Sequence, residues 1–241
     1  MASFFDTTIG QQVEFQRVLA SAGFTDSDIA RIIKEPNLAS TMYVAIQPKA
    51  VATVPSWYVS PERQLECARQ LWPNAVLPEP PKEFTPRTKS EVLLLHVPDT
   101  FDNLWNLVNA PEGYTKYRWE GVKSDKRNLR LAPNKVEYTE PVWLAFDPER
   151  GKGERPDSFW GQADTAASEV FSALIQFPEW SLAWFNGASA PNLTGYQLKY
   201  DGNWSNVPYL GRWDVDRQLG LRDRWADSRS DSWSSPSVRE C

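Results

Sequence analysis

Histidine and cysteine are almost missing from this sequence, which has one His, at position 96, and two Cys, at 67 and 241. That scarcity excludes a disulfide framework and the Cys/His zinc sites, since tetrahedral zinc draws three or four such ligands, and neither His-Glu-x-x-His nor paired Cys-x-x-Cys occurs. It also leaves a Ser or Cys nucleophile with a single candidate base. His96 closes an apolar run and reads as a core or edge histidine with a satisfied ring; Cys67, between Glu66 and Ala68 in a helical stretch, reads as a small packed hydrophobe. Long hydrophobic runs are lacking too, none approaching the roughly 20 apolar residues that span a bilayer. The opening residues, Met1 to Asp6, carry no basic region followed by an apolar stretch, so no signal or transit peptide is visible. A cytoplasmic protein with reduced thiols, no cofactor, no metal and no membrane insertion is the expectation. Positive charge is in deficit: Lys+Arg 26 against Asp+Glu 31, net -5, gives no broad field to draw a phosphate backbone. Aromatic residues are what the chain has in excess, 13% of it, with 12 Trp.

Along the chain the pattern changes twice. Residues 1–48 read as a small helical module, with Val13, Phe15, Val18 and Leu19 on a first helix and Thr25 capping a second that carries Ile29, Ile32 and Ile33. The outline is that of a helix-turn-helix, but Asp26, Asp28, Arg31, Lys34 and Glu35 cancel where a DNA reader needs net positive charge. Residues 49–89 form a Pro-rich connector with one helix, capped by Ser60, opened by Pro61 and closed by Pro73. Residues 90–241 alternate short strands and helices. Val92–Leu95 predicts a buried strand, Thr100 caps a helix from Phe101 to Ala110, strands follow at 129–131, 135–138 and 142–146, and a long helix runs from Asp164 to Phe177. Further short segments lie at Leu182–Phe185 and Gly195–Leu198. In Leu219–Trp225 the apolar Leu219, Leu221 and Trp225 alternate with Arg222 and Arg224, the pattern of a half-buried strand. The fold class is therefore α+β: a helical module plus a mixed α/β domain.

The C-terminal stretch from Trp204 onward is the distinctive one, with Trp204, Trp213, Trp225 and Trp233 among Arg and Asp. Trp, Tyr and Arg dominate binding hot spots because they bury much area and keep polar ends. Trp204 and Trp225 are expected in the core, Trp213 and Trp233 at the surface. Asp214, Asp216, Asp223, Asp227 and Asp231 lack calcium-loop spacing and read as solvated salt pairs; Gly151–Arg155 lacks the phosphate-loop length and reads as a surface loop.

Trp204, the Leu219–Leu221 strand with Trp225, the polar Asp/Arg/Ser/Trp run and the terminal Ser237–Cys241 strand follow one another in an order that resembles the target proteins of diversity-generating retroelements and related uncharacterised bacterial proteins. The resemblance implies a C-type-lectin-like, formylglycine-generating-enzyme-like domain over 90–241. It also implies a ligand-facing surface, diversified by a retroelement, drawn from Tyr209, Arg212, Trp213, Asp214, Asp216, Arg222, Arg224, Asp227, Arg229, Asp231 and Trp233. The paired active-site cysteines of formylglycine-generating enzymes are missing. The leading expectation is a non-enzymatic recognition protein for a protein or glycan ligand. A carboxylate-dependent hydrolase acting on sugars, whose acid pair no spacing would reveal, and a nucleic-acid-associated regulator using the N-terminal helices stay open as alternatives.

Overall fold

Four apolar residues in succession, Val92 to Leu95, can all be buried only if both faces of their strand are covered. They lie in β1 (Val92–His96), which pairs antiparallel with β4 (Val142–Asp147), and β10 (Ser237–Glu240) pairs antiparallel with the other edge of β4. On one face of this sheet Val92, Leu94, Leu144, Phe146 and Val238 enter the main core. On the other, Leu93, Leu95 and Trp143 pack with Leu65 and Ala68 of α1 (Pro61–Leu71) and with Trp72, Leu77 and Phe84. The computed structural model from which these elements are taken describes Thr25 and residues 54–184, 188–213 and 215–241. The helices expected within 1–48, Phe185 and Asp214 lie outside the described residues.

The chain divides into two units, Met1–Val51 and Ala52–Cys241. Nearly all of the proline-rich stretch belongs to the second unit. Its contacts explain why: the Trp143 indole donates to Pro78 O (3.0 Å). The buried Gln64 amide of α1 donates to Leu93 O (3.0 Å) and accepts from Leu95 N (2.8 Å). β1 is an edge strand, and Gln64 closes that edge with the bonds a neighbouring strand would make.

Helix α2 (Phe101–Leu107) starts as its cap predicts, with Thr100 Oγ1 accepting from Asn103 N (3.2 Å). Helix α3 (Glu169–Gln176) begins five residues later than the pattern suggests. Asp164 O accepts from Val238 N and Thr165 bridges to Ser237, so the stretch before α3 serves as a strand-like neighbour of β10. All eight residues of α3 are buried. The segment expected as Leu182–Phe185 begins inside a short helix, α4 (Trp180–Ala183). Residues 135–138 are not a strand: Lys135 turns inward to an ion pair, and no ladder forms.

A second sheet has the order β2 (Thr115–Arg118), β8 (Gln218–Trp225), β7 (Asn203–Trp213), β6 (Tyr196–Tyr200), β3 (Leu129–Leu131). Only the β2/β8 pairing is parallel. Asp201 and Gly202, both at positive φ (45° and 84°), make the two-residue turn from β6 to β7. Leu129, Leu198, Leu210, Leu219 and Leu221 point from this sheet into the main core. A two-stranded parallel pair, β5 (Ala190–Pro191) with β9 (Trp233–Ser234), completes an α+β architecture. Among the described residues no helix is long and apolar enough to cross a membrane.

Candidate ligand-binding face

Residues directly opposite in an antiparallel pair share a face, and faces alternate along each strand. The β7/β8 register sets Tyr209 opposite Arg222, Val207 opposite Arg224 and Gly211 opposite Gly220; β2 places Tyr117 opposite Gly220. Leu210, Leu219 and Leu221, the intervening residues, are fully buried in the core, so this set occupies the outer face.

Two glycines facing each other leave a gap in that face, and Trp213 fills it. A Cβ at Gly220 would stand 2.6 Å from the Trp213 ring, and one at Gly211 2.7 Å, so the indole rests on the backbone of both strands. The Arg222 guanidinium carbon lies 4.0 Å from the Trp213 ring centre and 5.2 Å from that of Tyr117. Beside it, Tyr209 and Trp233 stack at 4.2 Å with 29° between planes, and Arg224 lies 3.7 Å from the Trp233 centre. Two groups that near one ring cannot share a side of it, so Trp233 is sandwiched between Tyr209 and Arg224. Tyr209 and Trp213, 6.1 Å apart, join both stacks into one ladder. Each cation over an indole contributes about 0.5–1 kcal/mol when exposed, and about 2 when desolvated.

The ladder's two cations have no counter-charge. Among the described residues no carboxylate is ion-paired with Arg222 or Arg224. Arg224 Nη2 donates to Ser228 O (3.0 Å), while Arg222 Nε is buried without an acceptor. Asp223, between them on β8, belongs to the opposite face, where its carboxylate accepts from Asn206 Nδ2 (2.7 Å). Burial lowers the Arg224 pKa from its ordinary value. Burial raises that of the Tyr209 phenol, against the pull of Arg222 and Arg224.

Of the residues singled out from the sequence, the fold therefore gathers Tyr209, Trp213, Arg222, Arg224 and Trp233. Arg212, opposite Leu219, is on the other side of β7 with its guanidinium 5.4 Å from the Tyr114 ring centre. Asp216 is exposed in the β7/β8 turn. Asp227, Arg229 and Asp231 are exposed in the segment after β8, where Asp231 lies against Gly153. Asp214 is outside the described residues. Tyr117 was missed, because it comes from a short strand about a hundred residues upstream that joins β8 by a parallel pairing, and no local signal marks it.

The tryptophan expectations need correction. Trp225 is not a core residue but 51% exposed, packed only edge-on against Tyr200 at 5.1 Å, since the β7/β8 hairpin runs past the end of the core. Trp204 is half-buried beneath Arg130, 4.1 Å from its ring centre. Trp213 and Trp233 are half-buried as well, because arginines cover them.

His96 sits in a different polar group. It is 1% exposed, with Nδ1 2.8 Å from Ser172 Oγ, and burial depresses its pKa. Nearby, Lys135 Nζ bonds Glu169 Oε1 at 2.5 Å, both side chains 1% exposed, and Glu169 Oε2 accepts from Ala167 N. Burial pushes the Glu169 carboxyl up, but Lys135 and these hydrogen bonds outweigh it and hold it low. A Ser/His/Glu grouping is present, yet every member is sealed from solvent, so no substrate carbonyl can reach it. The ring is buried, as the sequence leads one to expect, with Nδ1 bonded to Ser172.

A cleft beside α2 is lined by Asp102, Arg118, Trp119, Lys123 and Asp125. Hydrogen bonds led by Ser124 hold Asp102 below the usual carboxylate range, and those led by Asn128 do the same for Asp125. A glycosidase acid needs the opposite shift. Among the described residues no three His, Cys, Asp or Glu side chains gather as metal ligands. Comparison with protein-family models, curated proteins and solved structures finds no match for the chain.

Proposed function

We propose that the chain is a non-enzymatic recognition protein that binds a protein or glycan ligand through the outer face of β7 and β8, on a C-type-lectin-like domain of the kind its C-terminal segment resembles. The observation that carries this reading is the ladder itself: two arginines with no ion-paired carboxylate among the described residues, held on Trp213 and Trp233, which are in turn fixed by backbone glycines and Tyr209. Such a surface is preorganised, so a ligand meets side chains that have already lost their rotamer freedom. Closure of the unit by its last strand, β10, beside β4 and β1 is compatible with the proposed domain type.

Screening the protein against glycan and protein arrays tests the reading. Trp213→Ala is expected to weaken the best ligand at least tenfold while the far-UV spectrum stays that of the parent. A ligand bound equally by parent and variant would move the site elsewhere.

A further inference from the structure

The two arginines of the ladder are two residues apart on β8, so they leave the same side of the sheet roughly 6.6–7 Å apart along the strand. The aromatic surfaces beneath them are already used. Trp233 is covered by Tyr209 on one side and Arg224 on the other, and Trp213 lies between backbone glycines and Arg222. What the ladder offers outward is therefore guanidinium N–H rather than bare indole, which takes away the flat ring that a neutral sugar would stack on. A guanidinium fixed against a ring keeps its edge free for bidentate bonding to a carboxylate. The one bond of Arg224 goes to Ser228 O, and since Arg222 Nε is buried, the terminal Nη groups are the Arg222 donors that a ligand could reach.

We propose that this face binds an acidic segment of a partner protein in extended conformation, with carboxylates on alternate residues set against Arg222 and Arg224. The proposal rests on the recognition reading and names its ligand class. An extended chain repeats its side chains on one face at the same spacing as the backbone positions of the two arginines, so alternate acidic residues of such a segment can follow the strand and face one cation each. Asp223 does not compete for them, since it faces away and is bonded to Asn206. Attraction between unpaired cations and an acidic strand also makes binding sensitive to salt.

The test titrates the full chain with a synthetic peptide alternating Glu and Ser, with the same peptide carrying Gln for Glu, with a uronic-acid oligosaccharide and with inorganic phosphate. The Glu peptide is expected to bind at least tenfold more tightly than the Gln peptide and to weaken as salt is raised. Arg222→Ala/Arg224→Ala should cost at least tenfold, and Arg222→Lys/Arg224→Lys should recover only part of that, because lysine keeps the charge but not the fork. Equal binding of Glu and Gln peptides would overturn the proposal, and that comparison needs no variant, so it holds even if the alanine protein fails to fold. Binding of the oligosaccharide or phosphate without the peptide would overturn it too. In any of these cases a ligand from the arrays that still depends on Trp213 would leave the recognition reading standing; loss of both would refute both.

Discussion

Lys135 and Arg222 are both cations set against a tyrosine ring, Lys135 5.4 Å from Tyr138 and Arg222 5.2 Å from Tyr117, but their surroundings differ. Lys135 is sealed in the core and neutralised by Glu169, with His96 and Ser172 bonded to each other beside it. Arg222 and its neighbour Arg224 are half-buried on the outer sheet face and have no ion-paired carboxylate among the described residues. A charge that serves the fold must be matched inside the fold, because an unmatched buried charge is too costly. Unmatched charge is tolerable at the surface, where water solvates it until a ligand does. The contrast ties the first group to stability and is the ground on which the second is proposed for recognition.

Glu169→Gln should break the contrast most severely. It removes the counter-charge of a buried ammonium and is expected to cost about 3–5 kcal/mol in urea unfolding. Lys135→Met combined with Glu169→Leu should cost clearly less, since it removes both charges. Acid gives the next largest effect. His96 has a folded pKa below its ordinary 6.5, so between those values the unfolded chain takes up a proton that the folded one refuses. Its contribution is complete above about pH 6.5 and is lost as pH falls toward the folded value. Glu169, also depressed, contributes fully above its ordinary 4.5 and loses that contribution as pH falls through its lower folded value. Unfolding midpoints measured from pH 7 to well below pH 4 should therefore decline in two steps, and His96→Phe should remove the upper one. Gly220→Ala should have the smallest effect on the fold. The new Cβ displaces the Trp213 ring from its seat, costing about 1 kcal/mol or less while shifting tryptophan fluorescence and weakening ligand binding.

Local pattern made some of this legible. The apolar run of β1, the Thr100 cap of α2 and the alternation along β8 are properties of neighbouring residues, and each appears in the structure where the sequence places it. Expectations failed where a distant partner decides. Lys135 leaves its apparent strand for Glu169, 34 residues on, and Asp164 to Ala166 leave their apparent helix for the C-terminal strand. Four of the named site residues, Tyr209, Trp213, Arg222 and Arg224, converge because the β7/β8 register is short-range, whereas Trp233 and Tyr117 reach the site from β9 and β2, strands held by parallel pairings that no local signal encodes. Which Trp is covered could not be read from the chain, since the covers of Trp204, Trp213 and Trp233 are arginines rather than apolar residues.

Whether Arg222 and Arg224 are dispensable to the fold is decided by the unfolding free energy of the Arg222→Ala/Arg224→Ala protein. Loss of three cation–π contacts at a half-exposed face, Arg222 on Trp213 and Tyr117 and Arg224 on Trp233, predicts a decrease of about 1.5–3 kcal/mol at most. A decrease as large as that of Glu169→Gln would contradict the account and return the ladder to the core.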